Sequence, residues 1–600
     1  MLFAIVQIWL QPRSDQQQLS GANIQALVNS EELLLELTKK LKPLSKSVLN
    51  LQLPDPAAKG IFGNSVQVGG RLEFQGSSSS PSWHLQDGEN TTEVSKLSLW
   101  GSVFDNCQYF KDAKFYNIKG QFTDSDQSHY ETDVGFDALA AMKQGGFVSL
   151  HAEVEIGWSR NPTAADSSQW TITRWKLKQF SAVDSEQPYF KDVLPNLVDQ
   201  GDVLQKATQS KHQQLTSRLV KGGDYFLPAG VKYQFFFPDV TLEHPGVSVV
   251  DIDQDGLEDV FVAMQHDSNL LFRNQGDGTF EESSQAVGLN IEGDCTCALF
   301  ADFDNDGDPD VFIGRGRQPS KYMINQDGRF VESTKSMDMP LPGLVSSISA
   351  ADFNSDGLLD VYISTYSPIE SEYVSNGTPA WVDLFLNRQQ AKEYFDRKIG
   401  SHNFLARTGP PNLLLVNKGN GEFSVADSNQ TLELFKMTFQ ASWHDFDDDG
   451  DPDLYVANDY HRDNFFRNDG KDGFTDITEE VGLAEMGFGM GVSFGDYDND
   501  GQTDIYVSNM FSKAGQRILS QVEGVDVRFK EMAKGNFLYR KQGQKYQLVS
   551  GLEAPAMQVA KAGWSWGGQF ADFDNDSFRD VYVVNGYYTA PDDIAADVDL

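Results

Sequence analysis

Asp302-Phe303-Asp304-Asn305-Asp306-Gly307-Asp308-Pro309-Asp310 runs straight into the apolar stretch Val311-Phe312-Ile313. Carboxylates at positions 1, 3, 5 and 9 of this nonapeptide, with a glycine at 6, describe a loop wrapped around a hard cation. Calcium takes six to eight oxygens, and closely spaced Asp side chains with one backbone carbonyl, here expected at position 7, can supply them. The glycine supplies the left-handed backbone that bends the chain around the ion.

The pattern returns six times. The expected side-chain ligands are Asp251, Asp253, Asp255 and Asp259; Asp302, Asp304, Asp306 and Asp310; Asp352, Asn354, Asp356 and Asp360; Asp445, Asp447, Asp449 and Asp453; Asp496, Asp498, Asp500 and Asp504; and Asp572, Asp574, Asp576 and Asp580. A single Asp-Gly run would read as an ordinary hairpin turn. Six copies in one register, each with more acids than a turn needs, predict Ca²⁺ at about six sites. Magnesium fits less well, because it prefers fewer carboxylates and more water. In the third loop Asn354 keeps an oxygen but drops a charge. In the sixth, Ser577 replaces the glycine, so the site at Asp572 is expected to be the weakest. Asp308 and Asp451, at position 7, are expected to turn their side chains to solvent.

The loops start 51, 50, 93, 51 and 76 residues apart. Behind four of them stands a second mark, an asparagine and a glycine turn ending in phenylalanine: Asn274 to Phe280, Asn325 to Phe330, Asn417 to Phe423, Asn468 to Phe474. The asparagine lies 23 residues into the first, second and fourth units and 65 into the third, which therefore carries a 42-residue insertion. Each unit reads as four short antiparallel strands, one blade of a β-propeller. The sixth unit lacks its hairpin. Residues 224–236 parallel the fifth unit's 536–548, so 224–243 are expected to supply the outer strands and close a six-bladed ring; the alternative is a seven-bladed ring missing a blade.

These loops and hairpins resemble the FG-GAP and VCBS repeat families, whose blades also build the integrin α-subunit head. The repeat region is most similar to that of ASPIC/UnbV-type proteins, which include an extracellular cartilage protein. The resemblance implies a calcium-binding propeller scaffold that works in binding or adhesion.

Ahead of the repeats, residues 20–49 carry apolar positions at helical spacing, read as a pair of helices with Asn29 and Ser30 capping the second. From Leu97 to Ser181 the pattern alternates as strands do. The expected fold is mainly β: a propeller over 224–590, with insertions at about 367–410 and 511–535, preceded by a smaller α+β domain over 20–185. The front domain resembles the cone-shaped fold of nuclear transport factor relatives. Residues 186–223 read as a helical linker and 591–600 as an acidic tail. Residues 1–19 read as the remnant of an export signal or as an ordinary N-terminal segment.

A formal charge of −39 over 600 residues argues against nucleic acid or an anionic membrane as partner. No stretch is long and apolar enough for a transmembrane segment. Three cysteines give no disulfide framework; Cys295 and Cys297, two apart in an expected strand, are predicted to face the same way as a buried pair of thiols. Loops this exposed and numerous suit calcium at extracellular concentrations, so the protein is expected outside the cell, in a periplasm or at a cell surface.

Both insertions leave the rim opposite the acidic loops. A protein or glycan partner is expected there, on Trp381, Arg388, Arg397, His402 and Arg407 of the larger insertion and on Tyr460, His461, Arg462 and Tyr587 beside it. No nucleophile, acid–base pair or other catalytic constellation stands out. The expected function is a calcium-stabilised binding or adhesion module. The alternatives are an enzyme, with its site over the propeller channel or in the front domain, and a purely structural component.

Overall fold

The computed structural model describes residues 21–75, 81–160, 170–187, 192–209, 214, 246–265, 267–316, 318–334, 337, 340–366, 410–426, 429–511, 527–552 and 554–586. They divide near residue 192 into two compact units.

The first unit pairs one helix with one sheet. Helix α1 (Gly21–Leu49) is continuous, where the sequence predicted two helices. Ser30 does not cap a helix start; its hydroxyl lies 2.9 Å from that of Tyr130. Leu33, Leu34, Leu37, Leu41, Leu44 and Val48 form the buried stripe, the three-and-four spacing of an amphipathic helix. The sheet holds β1 (Phe62–Phe74), β2 (Trp83–Glu93), β3 (Cys107–Phe122), β4 (His129–Met142), β5 (Phe147–Arg160) and β6 (Trp170–Ser185). Its order is β2-β1-β6-β5-β4-β3, with only β1 and β6 parallel. The interior is filled with rings: Trp158, Trp170 and Trp175 are buried, and Trp100 packs edge-on to Phe136 at 4.8 Å. His129 and His151 lie on the surface, each paired to an aspartate at 2.7 Å, Asp124 and Asp137 respectively.

The second unit is a series of small sheets. Sheet one is β7 (Val247–Val250), β8 (Asp259–Val262), β9 (Leu270–Asn274) and β10 (Phe280–Glu282). Sheet two is β11 (Cys295–Ala301), β12 (Asp310–Arg315), β13 (Lys321–Gln326) and β14 (Arg329–Glu332). Sheet three is β15 (Val345–Ala351), β16 (Asp360–Thr365), β17 (Leu413–Asn417) and β18 (Phe423–Val425). Sheet four is β19 (Met437–His444), β20 (Asp453–Asp459), β21 (Asn464–Asn468) and β22 (Phe474–Asp476). Sheet five is β23 (Gly491–Gly495), β24 (Asp504–Ser508), β25 (Phe537–Gln542) and β26 (Lys545–Leu548). In sheet six the described strands are β27 (Ser565–Ala571) and β28 (Asp580–Asn585). Every pairing in these sheets is antiparallel and sequential.

Consecutive sheets stack face to face, which explains why the second strands read as unbroken apolar runs. In β12, Val311 and Ile313 enter the core shared with sheet one, while Phe312 enters the core shared with sheet three. In β20, Leu454 and Val456 face sheet three, and Tyr455 and Ala457 face sheet five. A strand buried on both faces has no polar side to show. The other face of sheet one is covered by part of segment 186–223: Leu194, Val198, Val203 and Ala207 pack on Leu270 and Phe272. Residues 224–243, expected to complete sheet six, lie outside the described residues.

One pairing overturns a sequence expectation. In β11 the ladder shifts register between Cys295 and Cys297, and a bulge of this kind turns the strand over. Cys295 joins the core between sheets one and two, whereas Cys297 packs against the core between sheets two and three. The two thiols are not a pair.

Candidate metal centres

All six acidic stretches fold into the same loop between the first and second strands of their sheet. The carboxylate at position 1 accepts two backbone N–H bonds, from positions 5 and 6. In the second loop these are Asp306 to Asp302 Oδ1 at 3.1 Å and Gly307 to Oδ2 at 2.9 Å. In the sixth, the N–H groups of Asp576 and Ser577 bind Asp572 in the same way, at 3.1 and 3.0 Å. The carboxylate at position 5 accepts the N–H of position 7, at 2.8 Å in the sixth loop and 3.1 Å in the second. These bonds pull the position 1, 3 and 5 side chains inward.

The turn uses two left-handed residues. The position-6 glycines have φ from +83° to +105°, and Ser577 is held at +72°, which costs a residue with a Cβ about 1 kcal/mol. Position 4 is left-handed as well: Gln254, Asn305, Ser355, Asp448, Asn499 and Asn575 have φ between +57° and +62°. Four of these six are Asn or Asp, the residues several-fold enriched in this conformation, while Gln254 and Ser355 carry no such signal.

Ligand atoms of Asp251, Asp253 and Asp255 come within 4.8 Å of one another, and so do those of Asp302, Asp304 and Asp306, of Asp496, Asp498 and Asp500, of Asp445, Asp447 and Asp453, and of Asp572, Asp574 and Asp580. In the third loop the Asp356 N–H bonds both Asp352 and Asn354, each at 3.0 Å. Three of the four expected side chains thus meet in each of five loops, with position 9 outside the group in the first, second and fifth and position 5 outside it in the fourth and sixth.

Position 9 has a second duty that the sequence did not disclose. It opens the second strand, and in the first, second, fourth and fifth loops one of its oxygens accepts the N–H of position 2 while the other accepts an N–H near the end of the third strand. Asp453 does so from Phe446 at 2.7 Å and Asn468 at 2.8 Å. In the third loop Asp360 Oδ1 accepts the Asn417 N–H at 2.8 Å and Oδ2 is shielded without a partner. Asp259, Asp310, Asp360, Asp453 and Asp504 are all buried. Burial pushes Asp310, Asp360 and Asp453 up to about 7 and Asp504 to about 6, despite the N–H bonds that pull the other way.

The donor set fits a hard cation. Asp447 Oδ1, at position 3, is shielded from solvent and receives no hydrogen bond; a buried charged oxygen in that state lacks the partner that buried charges require, whereas Asp498, whose Oδ1 is also shielded, takes the Arg540 guanidinium on its other oxygen at 2.8 Å. Asp308 at position 7 behaves likewise. Its Oδ1 is shielded, and burial together with Asp306, Asp304 and Asp302 raises its carboxyl. Asp451 turns toward the third loop and accepts the Ser355 hydroxyl at 3.4 Å. Neither side chain points freely to water as expected.

Neighbouring loops are tied together. Position-4 side chains donate to the following loop: Gln254 to the Gly307 carbonyl, Asn305 to Gly357 at 3.2 Å, Asn499 to Ser577 at 3.0 Å. The hairpin asparagines reach back to the preceding loop, as Asn468 does to the Phe353 carbonyl at 2.7 Å. In sheet five Lys541 replaces the asparagine and keeps the bond, with Nζ 2.6 Å from the Phe446 carbonyl.

At the opposite end of each sheet a further repeated bond appears. The residue ahead of the third strand accepts the N–H at the end of the second: Asn269 from Met264, Ser320 from Arg315, Asn412 from Thr365, Asp463 from Asn458, Asn536 from Asn509. Of the expected recognition residues at this end, Tyr460 packs its ring edge-on to Phe488 at 5.3 Å and belongs to an apolar cluster. His461 is half-buried. Arg462 is exposed and bound to Glu479 at 2.6 Å. Trp381, Arg388, Arg397, His402, Arg407 and Tyr587 lie outside the described residues.

A family model described as FG-GAP-like repeat matches residues 251–313, 302–363 and 445–507, each match running from one acidic loop into or through the next strand pair. The chain carries FG-GAP-like repeats. No curated protein matches the sequence. Among solved structures, a Novosphingobium aromaticivorans protein described as a scytalone dehydratase is 11% identical, over 27% of this chain and 91% of that one, with TM-score 0.17. BBS1N in complex with ARL6DN is 10% identical over 57% of this chain and 77% of that one, TM-score 0.30. The Vibrio cholerae biofilm matrix protein Bap1 is 13% identical over 45% and 35%, TM-score 0.26. Likenesses at these scores carry no argument about this chain.

Proposed function

We propose that the FG-GAP-like repeats form a propeller-type array of six blades, stiffened by Ca²⁺ in the acidic loops, that serves as a binding or adhesion module outside the cell, in a periplasm or at a cell surface. The observation that carries the calcium reading is the shielded, donorless carboxylate oxygen on Asp447, inside a loop whose geometry repeats six times. A divalent ion would satisfy that oxygen and favour the charged form of the buried position-9 aspartates. Calcium supplies the charge and coordination that hold each loop closed; the chain supplies the fixed oxygens, the left-handed turns and the ties between loops.

The recognition surface is proposed at the rim opposite the loops, where Arg462 stands exposed, with a protein or glycan as ligand. A scaffold whose rigid end is mineralised and whose other end carries the long connections suits that division of labour. Equilibrium dialysis of the full chain with labelled calcium tests the reading: about six ions per chain are expected on the sequence count of loops, with melting raised by calcium and lowered by EDTA. Retention of no calcium, with melting indifferent to EDTA, refutes it.

A further inference from the structure

In three sheets the residue just ahead of the hairpin position is an arginine: Arg273 in β9, Arg467 in β21 and Arg540 in β25; Ile324 and Val416 hold that place in β13 and β17. Arg540 Nη2 lies 2.8 Å from Asp498 Oδ2 and 3.2 Å from Asp500 Oδ2, positions 3 and 5 of its own sheet's loop. Arg273 lies against Asp253, position 3 of the first loop, in the same manner. Arg467 does otherwise. Its Nε donates to Asp469 Oδ1 at 2.7 Å.

The sequence accounts for the difference. Asp469 directly follows the hairpin asparagine of sheet four, whereas the same place holds Gln275 in sheet one and Gln542 in sheet five. An arginine beside an acid in its own hairpin is drawn off; without that acid it folds onto the loop, where the nearest negative charge is.

We infer that the first five loops fall into two classes. In loops one and five a guanidinium from the same sheet occupies the cation's place, so a divalent ion must displace it, and these loops keep their charges balanced without metal. Loops two, three and four stand open and fill first. The chain therefore carries high-affinity sites that hold calcium continuously and a lower-affinity pair that responds to its concentration, releasing two arginines at the rim as it fills. This rests on the calcium reading of the loops.

Calcium titration of the full chain by calorimetry at low ionic strength, with competing chelators, tests it. Arg540→Met removes the competitor, and Gln542→Asp leaves the arginine but offers it the acid that Arg467 has. Each is expected to raise one weak site about tenfold in affinity, since a unit charge a few ångströms away in a partly shielded site is worth at least that. Asp469→Gln is expected to free Arg467 onto loop four and weaken one strong site by a similar factor. In an Asp496→Asn background the gain from Arg540→Met disappears. A metal-free arm stands apart from calcium: in EDTA, Arg540→Met lowers the melting temperature and Asp469→Gln raises it. Unchanged stepwise affinities in Arg540→Met and Gln542→Asp overturn the two classes while leaving calcium binding intact. If no variant binds calcium, the calcium reading fails, and unchanged melting of Arg540→Met in EDTA then overturns the counter-ion role as well.

Discussion

The side-chain amide of Asn417 donates to the main-chain carbonyl of Phe303, 2.8 Å away and 114 residues earlier in the chain. Its equivalents run Asn325 to Ile252, Asn468 to Phe353 and Lys541 to Phe446. Each one fastens a hairpin to the acidic loop of the sheet before it, so the repeats are joined by named polar bonds as well as by apolar cores.

Asn417→Ala strands the Phe303 carbonyl, and Phe303 is fully buried. An unsatisfied buried acceptor costs about 1–3 kcal/mol. Asn274→Ala is the control, because among the described residues that amide donates to Glu258 within its own sheet. Urea denaturation is expected to show the larger loss for Asn417; equal losses would argue that the tie contributes nothing.

Ser577→Gly relieves a φ of +72° while keeping the N–H that binds Asp572. The substitution is expected to stabilise the protein by about 1 kcal/mol and to tighten the sixth loop's hold on calcium. Melting in saturating calcium reads the first effect. A destabilised glycine variant would mean that the serine side chain supports the loop.

Asp463 holds the capping place that neutral residues hold in the other four sheets. It is buried and accepts the Tyr455 hydroxyl and the Asn458 N–H, each at 2.8 Å. Burial raises it from 3.8 to about 6. A raised acid contributes its full stability below about pH 4 and loses it as pH climbs through 6. Asp463→Asn does not titrate, and its amide can meet Tyr455 as Asn536 meets Tyr506 at 2.6 Å. Relative to the parent, the variant is expected to gain roughly 3 kcal/mol between pH 4 and 7. Parallel urea midpoints across that range would exclude the effect.

Cys295 and Cys297 sit in different cores, and burial raises both thiols, Cys297 to about 12. Mild oxidation of the native protein is expected to leave three free thiols by mass; a crosslink between these two would contradict the bulge that separates them.

The acidic loops were legible because their acids alternate along the chain and the glycine marks the turn. The hairpin asparagines were visible as a mark but not as a tie, since their partners lie in another repeat. Lys541 hid the tie in sheet five by changing residue type while preserving the bond. Position 4 was less legible because glutamine and serine stand there in two loops, and the asparagines and aspartate of the other four favour a left-handed backbone less strongly than glycine does. The register shift at Cys295 leaves no local trace, and Ser30 looked like a helix cap although its partner is a tyrosine 100 residues away.

The bond between the end of the second strand and the residue ahead of the third spans 5 residues from Asn458 to Asp463, 27 from Asn509 to Asn536 and 47 from Thr365 to Asn412. It is the same bond each time, made by the two residues that flank the connection. The bond is thereby kept while the connection it closes differs in length almost tenfold. That end of these repeats is a grafting port, open to new sequence in evolution or at the bench, while the acidic stretch keeps its nine-residue register in all six copies.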